Sequence, residues 1–227
     1  MIDVQEKYIK ELSALNWENG FNPEMTKVER LAFFAELVTK RNDSVNLISR
    51  RDVKSIIESH VFISSFITKY IPDKCNSFLD IGTGGGFPGI PLAIMRPEMN
   101  GVLVDSIKKK IDAVGDFVNK LKLGNVKVES DRVESPEFIG RYSYYFDLVI
   151  SRATVPLIIL LRYSLPLVKE KAFIAAMKGG DIEDEYKKAE LKYKSCIKKS
   201  TIFELSYKPS NIRNKKEKKL ILLEINK

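Results

Sequence analysis

A chain of 227 residues is long enough to bury one full hydrophobic core with a small extension, and it carries 38 basic against 30 acidic side chains, a net charge of +8. That excess suits a polyanion such as RNA but is also common in soluble proteins with no such partner. Cys75 and Cys196 lack C-x-x-C spacing, His60 is the single histidine, and no run approaches the ~18 apolar residues of a membrane span; neither a disulfide framework, a metal site nor a membrane segment is indicated, and a cytoplasmic protein in a reducing compartment is expected.

Residues 1 to about 70 read as helices. Val4, Tyr8, Ile9, Leu12 and Leu15 recur at three- and four-residue spacing, and Leu31, Phe33, Phe34, Leu37 and Val38 do so again. These helices are expected to form an N-terminal cap over residues 1–72. Within it His60 sits in the pattern Ile56-Ile57-x-x-His60-Val61-Phe62, where packing on a core is favoured over contact with RNA or a cofactor.

After the DKCNS segment at 73–77 the period changes, and residues 73–227 read as a catalytic core. Strands are expected at about 77–81, 101–105, 126–130, 146–151 and 171–177, with helical crossovers at 88–95, 106–122 and 154–168. Most of these strands are nearly all apolar, the pattern of strands buried on both faces, which implies a doubly wound α/β fold with a mostly parallel sheet. A charged helical stretch at 181–199 precedes two more strands, at about 201–207 and 219–225. No crossover helix fits in the short polar loop between them, so the pair should be an antiparallel hairpin at the end of a seven-stranded sheet.

The stretch from Phe78 to Gly89 reads FLDIGTGGGFPG: an apolar strand that ends on an acid and enters a glycine turn. Asp80, Gly82, Gly84 and Gly86 fit the D-x-G-x-G-x-G pattern of S-adenosylmethionine methyltransferases, where glycines bend the backbone at positive φ and approach a bulky ligand. Pro88 suits the first position of the following helix. Gly84-x-Gly86-x-x-Gly89 also satisfies the dinucleotide fingerprint. Phe87 and Pro88, however, fill the entrance a pyrophosphate would need, and the C-terminal hairpin departs from an all-parallel dinucleotide fold. S-adenosylmethionine is therefore favoured over a nicotinamide cofactor, with a purely structural glycine turn as the remaining alternative.

Ligands of open α/β sheets bind outside the carboxyl ends of the strands, which should bring together Gly82 to Phe87, Asp105, Asp131 to Glu134 and Ser151 to Arg152. Asp105 is a candidate acceptor for ribose hydroxyls, its alternative being a helix N-cap before Ser-Ile-Lys-Lys-Lys. Val133 and Glu134 are candidates for an adenine, against an ordinary surface loop. Arg152, directly after an apolar strand, is a candidate at the catalytic edge; the alternative is an arginine that caps its own helix or pairs an acid. Lys187, Lys188, Lys192, Lys194, Lys198 and Lys199 spread round their helix as a solvated face does, yet with Lys215, Lys216, Lys218 and Lys219 they are also candidates for a phosphate track.

Together these residues resemble the bacterial 16S ribosomal RNA guanine-N7 methyltransferases, RsmG, also called glucose-inhibited division protein B. The likeness spans nearly the whole chain. It rests on DIGTGGGFPGIPLAI from Asp80 to Ile94, on Val45-Asn46-Leu47, His60, Val104-Asp105-Ser106, Arg132-Val133-Glu134 and Ile150-Ser151-Arg152-Ala153. The resemblance implies a class I methyltransferase fold and methyl transfer from S-adenosylmethionine to N7 of a guanine in 16S rRNA, within a small ribosomal subunit or assembly intermediate. It implies cofactor contacts at Gly82, Phe87, Val133, Glu134 and Arg152, with Arg132 a further functional position. A monomer is expected. Departures from the family pattern fall at Arg41, where a tryptophan is usual, and at Lys218, where an arginine is usual; lysine cannot make arginine's bidentate phosphate contact. Guanine N7 has an in-plane lone pair and no proton, so no general base is required, and Arg152 and Arg132 are candidate positioning residues. The alternatives are a non-catalytic RNA-binding protein that retains the fold and a nicotinamide-dependent oxidoreductase.

Overall fold

The computed structural model describes residues 3–152, 154–208 and 218–227. Among these residues seven strands, β1 (Ser77–Ile81), β2 (Asn100–Asp105), β3 (Val126–Ser130), β4 (Phe146–Arg152), β5 (Val168–Gly179), β6 (Ile197–Glu204) and β7 (Lys218–Asn226), form one sheet in the order β3-β2-β1-β4-β5-β7-β6. The first five run parallel, and β7 lies antiparallel to both β5 and β6. The C-terminal pair is thus the expected hairpin, with its second strand inserted next to β5. Strand order reverses at β1, between β2 and β4, and that point is where ligands of such sheets bind.

Central strands in this order must be covered on both faces, and two apolar clusters do so. On one face, α1 (Val4–Glu18), α2 (Met25–Asn42), α3 (Ile63–Phe66), α4 (Gly89–Met95) and α5 (Lys108–Lys120) bring Phe34, Phe66 and Phe117 into a core with Phe78 and Leu103. On the other, α6 (Pro136–Tyr142), α7 (Leu157–Ser164) and α8 (Glu183–Tyr193) enclose Phe138, Phe146, Leu160, Ile174 and Ile221. The N-terminal helices therefore share one continuous core with the sheet, whatever boundary is drawn in the sequence at 72. Among the described residues no helix is long and apolar enough to cross a membrane.

Several elements differ from the sequence-based expectation. Helix α6 supplies a crossover that the apolar period does not reveal, although its start is written in the sequence: the Ser135 hydroxyl accepts the Phe138 amide at 3.1 Å and Pro136 opens the helix. Helix α7 starts at Leu157 because Pro156 holds an extended ψ of 147° as its N-cap. Helix α8 stops at Tyr193, and Ile197 to Ser200 join β6 instead, since they pair with Ile225 to Leu223 of β7. Pro88 takes the N-cap of α4 and not its first helical position. The stretch before β1 is broken into a 3₁₀ turn (Val53–Ser55), a π-helical turn (Ile57–Phe62), α3 and a second 3₁₀ turn (Ile67–Tyr70).

Register explains one glycine within the sheet. Gly101 of β2 lies opposite Phe78 of β1, and a Cβ there would stand 2.2 Å from Phe78 Cζ, on a ring with no exposed surface. Gly101→Ala should therefore destabilise the protein by about 1–3 kcal/mol through overpacking. Urea denaturation checks this; an unchanged midpoint would mean that the ring moves aside freely.

Candidate cofactor site

The turn after β1 is built by backbone geometry. Gly82, Gly84 and Gly86 have φ of 70°, 58° and 91°, values that L side chains adopt at a cost of ~1–2 kcal/mol. Gly82 also has no room for a side chain, because a Cβ would lie 2.1 Å from Thr154 Cγ2. At Gly84 a Cβ meets nothing closer than Gly82 O at 3.9 Å, so only the dihedral demands glycine there. The turn is tied to β2: the Gly82 and Thr83 amides donate to Val104 O at 2.9 and 3.0 Å, and the Gly84 amide donates to Asp105 Oδ2 at 3.0 Å.

Asp80 lies underneath, fully enclosed, and its Oδ2 accepts the Gly89 amide at 2.9 Å. Burial pushes its carboxyl up to about 7, against the opposing influence of the Thr83 hydroxyl and the Gly89 amide. It supports the turn from within and offers no surface to a ligand.

Above the turn, a groove of about 360 Å³ brings together Gly82, Asp105, Arg132, Val133 and Glu134, as the topology argument requires, and adds Ile107, Thr154, Val155 and Tyr163. Val133 is a buried apolar wall. Asp105 accepts the Ile107 amide on Oδ1 at 2.9 Å and the Gly84 amide on Oδ2; each carboxylate oxygen keeps a lone-pair direction for a further donor. Asp105 is not the N-cap of α5, which is Ile107; it ties the segment that enters the helix to the turn and lines the groove.

The far wall is fixed by a residue that sequence reasoning missed. Arg141 Nη2 donates to Asp131 Oδ2 at 2.8 Å and Glu129 Oε2 at 2.9 Å, while Asp131 Oδ1 accepts the Arg132 amide at 2.7 Å. The Arg141 guanidinium holds the Asp131 carboxyl below the usual carboxylate range. Arg141 carries no motif; it reaches the loop only because α6 folds back beside β3. Thr154, also missed, bonds the Ser151 hydroxyl at 2.6 Å and fills the space that Gly82 leaves.

The remaining predicted residues face the N-terminal cap and not the groove. The Phe87 ring packs 4.9 Å from Phe34 and 5.1 Å from His60 between ring centroids. Arg152 donates from Nη2 to Ser59 O at 2.8 Å and from Nη1 to the Ser64 hydroxyl at 3.4 Å, and Lys218 Nζ reaches the same Ser59 O at 3.4 Å. Burial, reinforced by mutual repulsion of the two cations in the case of Lys218, lowers Arg152 to about 10 and Lys218 to about 8. Burial and the nearby Arg152 depress His60 to about 3, so it is neutral despite Asp52 Oδ2 at 3.4 Å. Lys219 pairs with Glu204 in the β6–β7 ladder. Ala153, Lys215 and Lys216 lie outside the described residues.

A parallel sheet with an antiparallel β7 inserted beside β5, carrying a groove against a glycine turn at the switch point, defines the class I S-adenosylmethionine-dependent methyltransferase fold. Solved structures agree: the O-methyltransferase TomG of Streptomyces achromogenes superposes with a TM-score of 0.60 over 100% of both chains at 14% identity. A putative O-methyltransferase from Klebsiella pneumoniae gives 0.62 over 99% of this chain and 100% of that one at 13% identity. Residues 27–213 match the family described as rRNA small subunit methyltransferase G. Ribosomal RNA small subunit methyltransferase G of Chlorobium chlorochromatii is 40% identical over 168 residues, 74% of this chain and 69% of the relative. Its counterpart in Bacteroides fragilis is 36% identical over 189 residues, 77% of this chain and 82% of the relative. The chain belongs to the rRNA small subunit methyltransferase G family.

Asp80 gives the site a pH signature. Its folded pKa of about 7 stands above the ordinary aspartate value of 3.8, so the group adds stability below about pH 4 that is lost as pH rises through 7. Asp80→Asn keeps an acceptor for Gly89 and removes the titration. Relative to the variant, the wild type should lose on the order of a few kcal/mol between pH 4 and 8. Urea unfolding at the two pH values measures this, and a pH-independent difference would remove the assignment.

Proposed function

We propose that this protein transfers a methyl group from S-adenosylmethionine to N7 of a guanine in 16S rRNA, acting as a cytoplasmic monomer on a small ribosomal subunit or an assembly intermediate. The observation that carries the reading is the groove joining Gly82, Asp105, Val133 and Glu134 in a chain of the rRNA small subunit methyltransferase G family. These residues fit the cofactor: Asp105 has lone pairs for two ribose hydroxyls, Val133 offers an apolar face to adenine, and Glu134 offers an acceptor for its amino group. The glycines let the backbone come close to the methionine end, with Asp80 holding the turn from below and Phe87 and Arg152 closing it from the cap side.

The cofactor supplies a methyl group on a sulfonium, an electrophile that needs no further activation. Guanine N7 carries no proton, so the chain needs no general base, and His60, neutral and enclosed, is consistent with that. What the protein contributes is position. Arg152 and Lys218 converge on one carbonyl, with Asp52 and Glu58 nearby as opposing charges, and an RNA phosphate would be held by the two cations. Lys219 follows on the same strand, and Arg132 stands at the groove wall as a second positioning residue.

Two measurements test the reading. Undermethylated 30S subunits incubated with tritiated S-adenosylmethionine should acquire label in 16S rRNA, and borohydride reduction followed by aniline should cleave the chain at the modified guanine. Absence of label would make the protein a non-catalytic binder, and label without cleavage would move the methyl group to another atom. Asp105→Ala should weaken cofactor binding by roughly 1–3 kcal/mol in calorimetry, because ribose hydroxyls lose their acceptor, with turnover retained at saturating cofactor. Normal affinity without turnover would place Asp105 in RNA positioning instead.

A further inference from the structure

The segment that follows α2 forms a second polar hollow that the reaction described above does not use. It has a volume of about 540 Å³ and is lined by Asn42, Asp43, Ser44, Asn46, Ser49 and Arg50. That volume falls within the ~300–1,000 Å³ of ordinary ligand pockets. Except for the half-buried Asn42, every one of these residues is exposed.

The hollow has a fixed frame. Asn42 Oδ1 accepts the amides of Leu47 and Ile48, both at 2.9 Å, which folds the segment back on the end of α2. The Ser44 hydroxyl donates to Arg41 O at 3.1 Å and the Asp52 amide to Ser49 O at 2.9 Å. Leu47 and Ile48 are buried beneath, and Leu47 lies against the glycine turn: a Cβ at Gly85 would stand 3.1 Å from Leu47 Cβ and 3.3 Å from Leu47 O. One side of the segment thus touches the turn of the cofactor site while the other stays polar and open.

Its chemistry is mixed in a particular way. Arg41, Arg50, Arg51 and Lys54 are exposed around it, against the carboxylates of Asp43 and Asp52, the second of which is directed to His60. A hollow for a bare anion would not carry Asp43 in its wall. A nucleotide, however, presents a phosphate and a base edge with amino donors, and the two ends call for a guanidinium and for acceptors such as Asp and Asn. Single-stranded RNA exposes those base edges.

We propose that this hollow seats a nucleotide of the RNA substrate other than the methylated guanine, with its phosphate on Arg50 and its base edge on Asp43 and Asn46. The inference rests on the reading of rRNA as the substrate and extends it to a docking surface on the N-terminal cap, joined to the glycine turn through Leu47.

Binding of undermethylated 30S subunits, followed by sedimentation over a range of salt concentrations, tests it without depending on methyl transfer. Arg50→Gln should weaken binding about three- to tenfold at 0.1 M salt and reduce the slope of log K against log salt by ~0.7–0.9, the value for one phosphate contact. Arg50→Lys should restore the slope. Asn46→Ala should lower affinity several-fold with the slope unchanged, as loss of a base contact does. Calorimetric affinity for S-adenosylmethionine and the thermal midpoint should match wild type in all three variants. Wild-type affinity and slope in both Arg50→Gln and Asn46→Ala would overturn the proposal. If the wild type binds subunits and these losses occur but no methyl group is transferred, the catalytic reading fails and the docking site stands.

Discussion

Everything in the site depends on how β1 ends. The strand must stop at the sheet's switch point and turn away at positive φ without leaving its amides unpaired in a buried place. Val104 O and the Asp105 carboxylate receive those amides, and the enclosed Asp80 receives the one at the start of α4. The turn is thereby written into the sheet itself: β2 supplies acceptors at its own carboxyl end, and α4 is fastened back onto the strand it leaves. A carboxyl as deeply buried as Asp80 is a costly way to hold one amide. Its raised pKa lowers that cost, since the neutral acid still accepts from Gly89.

The N-terminal helices follow from the same constraint. Gly85 and Gly86 present bare backbone on the side away from the groove, and Leu47, Phe34 and Ile90 lie directly over it. Phe87 enters the same apolar layer beside His60. Water is thus kept from the back of the turn, which makes its hydrogen bonds to β2 harder to exchange. The cap supports the glycine turn as well as covering one sheet face, and its core is continuous with that of the sheet.

Much of this was legible from residue patterns, for identifiable reasons. β1 coincides with the expected 77–81 because it is a short apolar run, and β3 with 126–130 because Val126 and Val128 alternate with polar residues. β6 was displaced because Ile197-Lys-Lys-Ser200 is charged and reads as the tail of α8; only pairing with β7 makes it a strand. The groove residues Gly82, Asp105, Val133 and Glu134 converge as strand ends must. What spacing could not give was side-chain direction. Phe87 and Arg152 stand in the same segments as groove residues yet turn to the cap, and Arg141 reaches Asp131 through a helix whose period was too short to register.

That difference in direction places charged groups on both sides of the turn. The groove side of the turn carries Asp105, Asp131 and Glu134 together with Lys110 and Arg132, whereas the cap side carries Arg152 and Lys218 on a shared carbonyl. On the proposed reading the first side meets a sulfonium cofactor and the second an RNA backbone, ligands of opposite sign that must be brought to one point. A wall made of glycine backbone is thin enough for both to approach and has no side chain to intervene. Asp105 is held by backbone amides and Arg152 by Ser59 and Ser64, while Asp52 and Asp80 act on Arg152 through charge. If the nucleophile carries no proton, as on the proposed reading, what the fold contributes is the fixed position of charged groups on either side of a rigid turn.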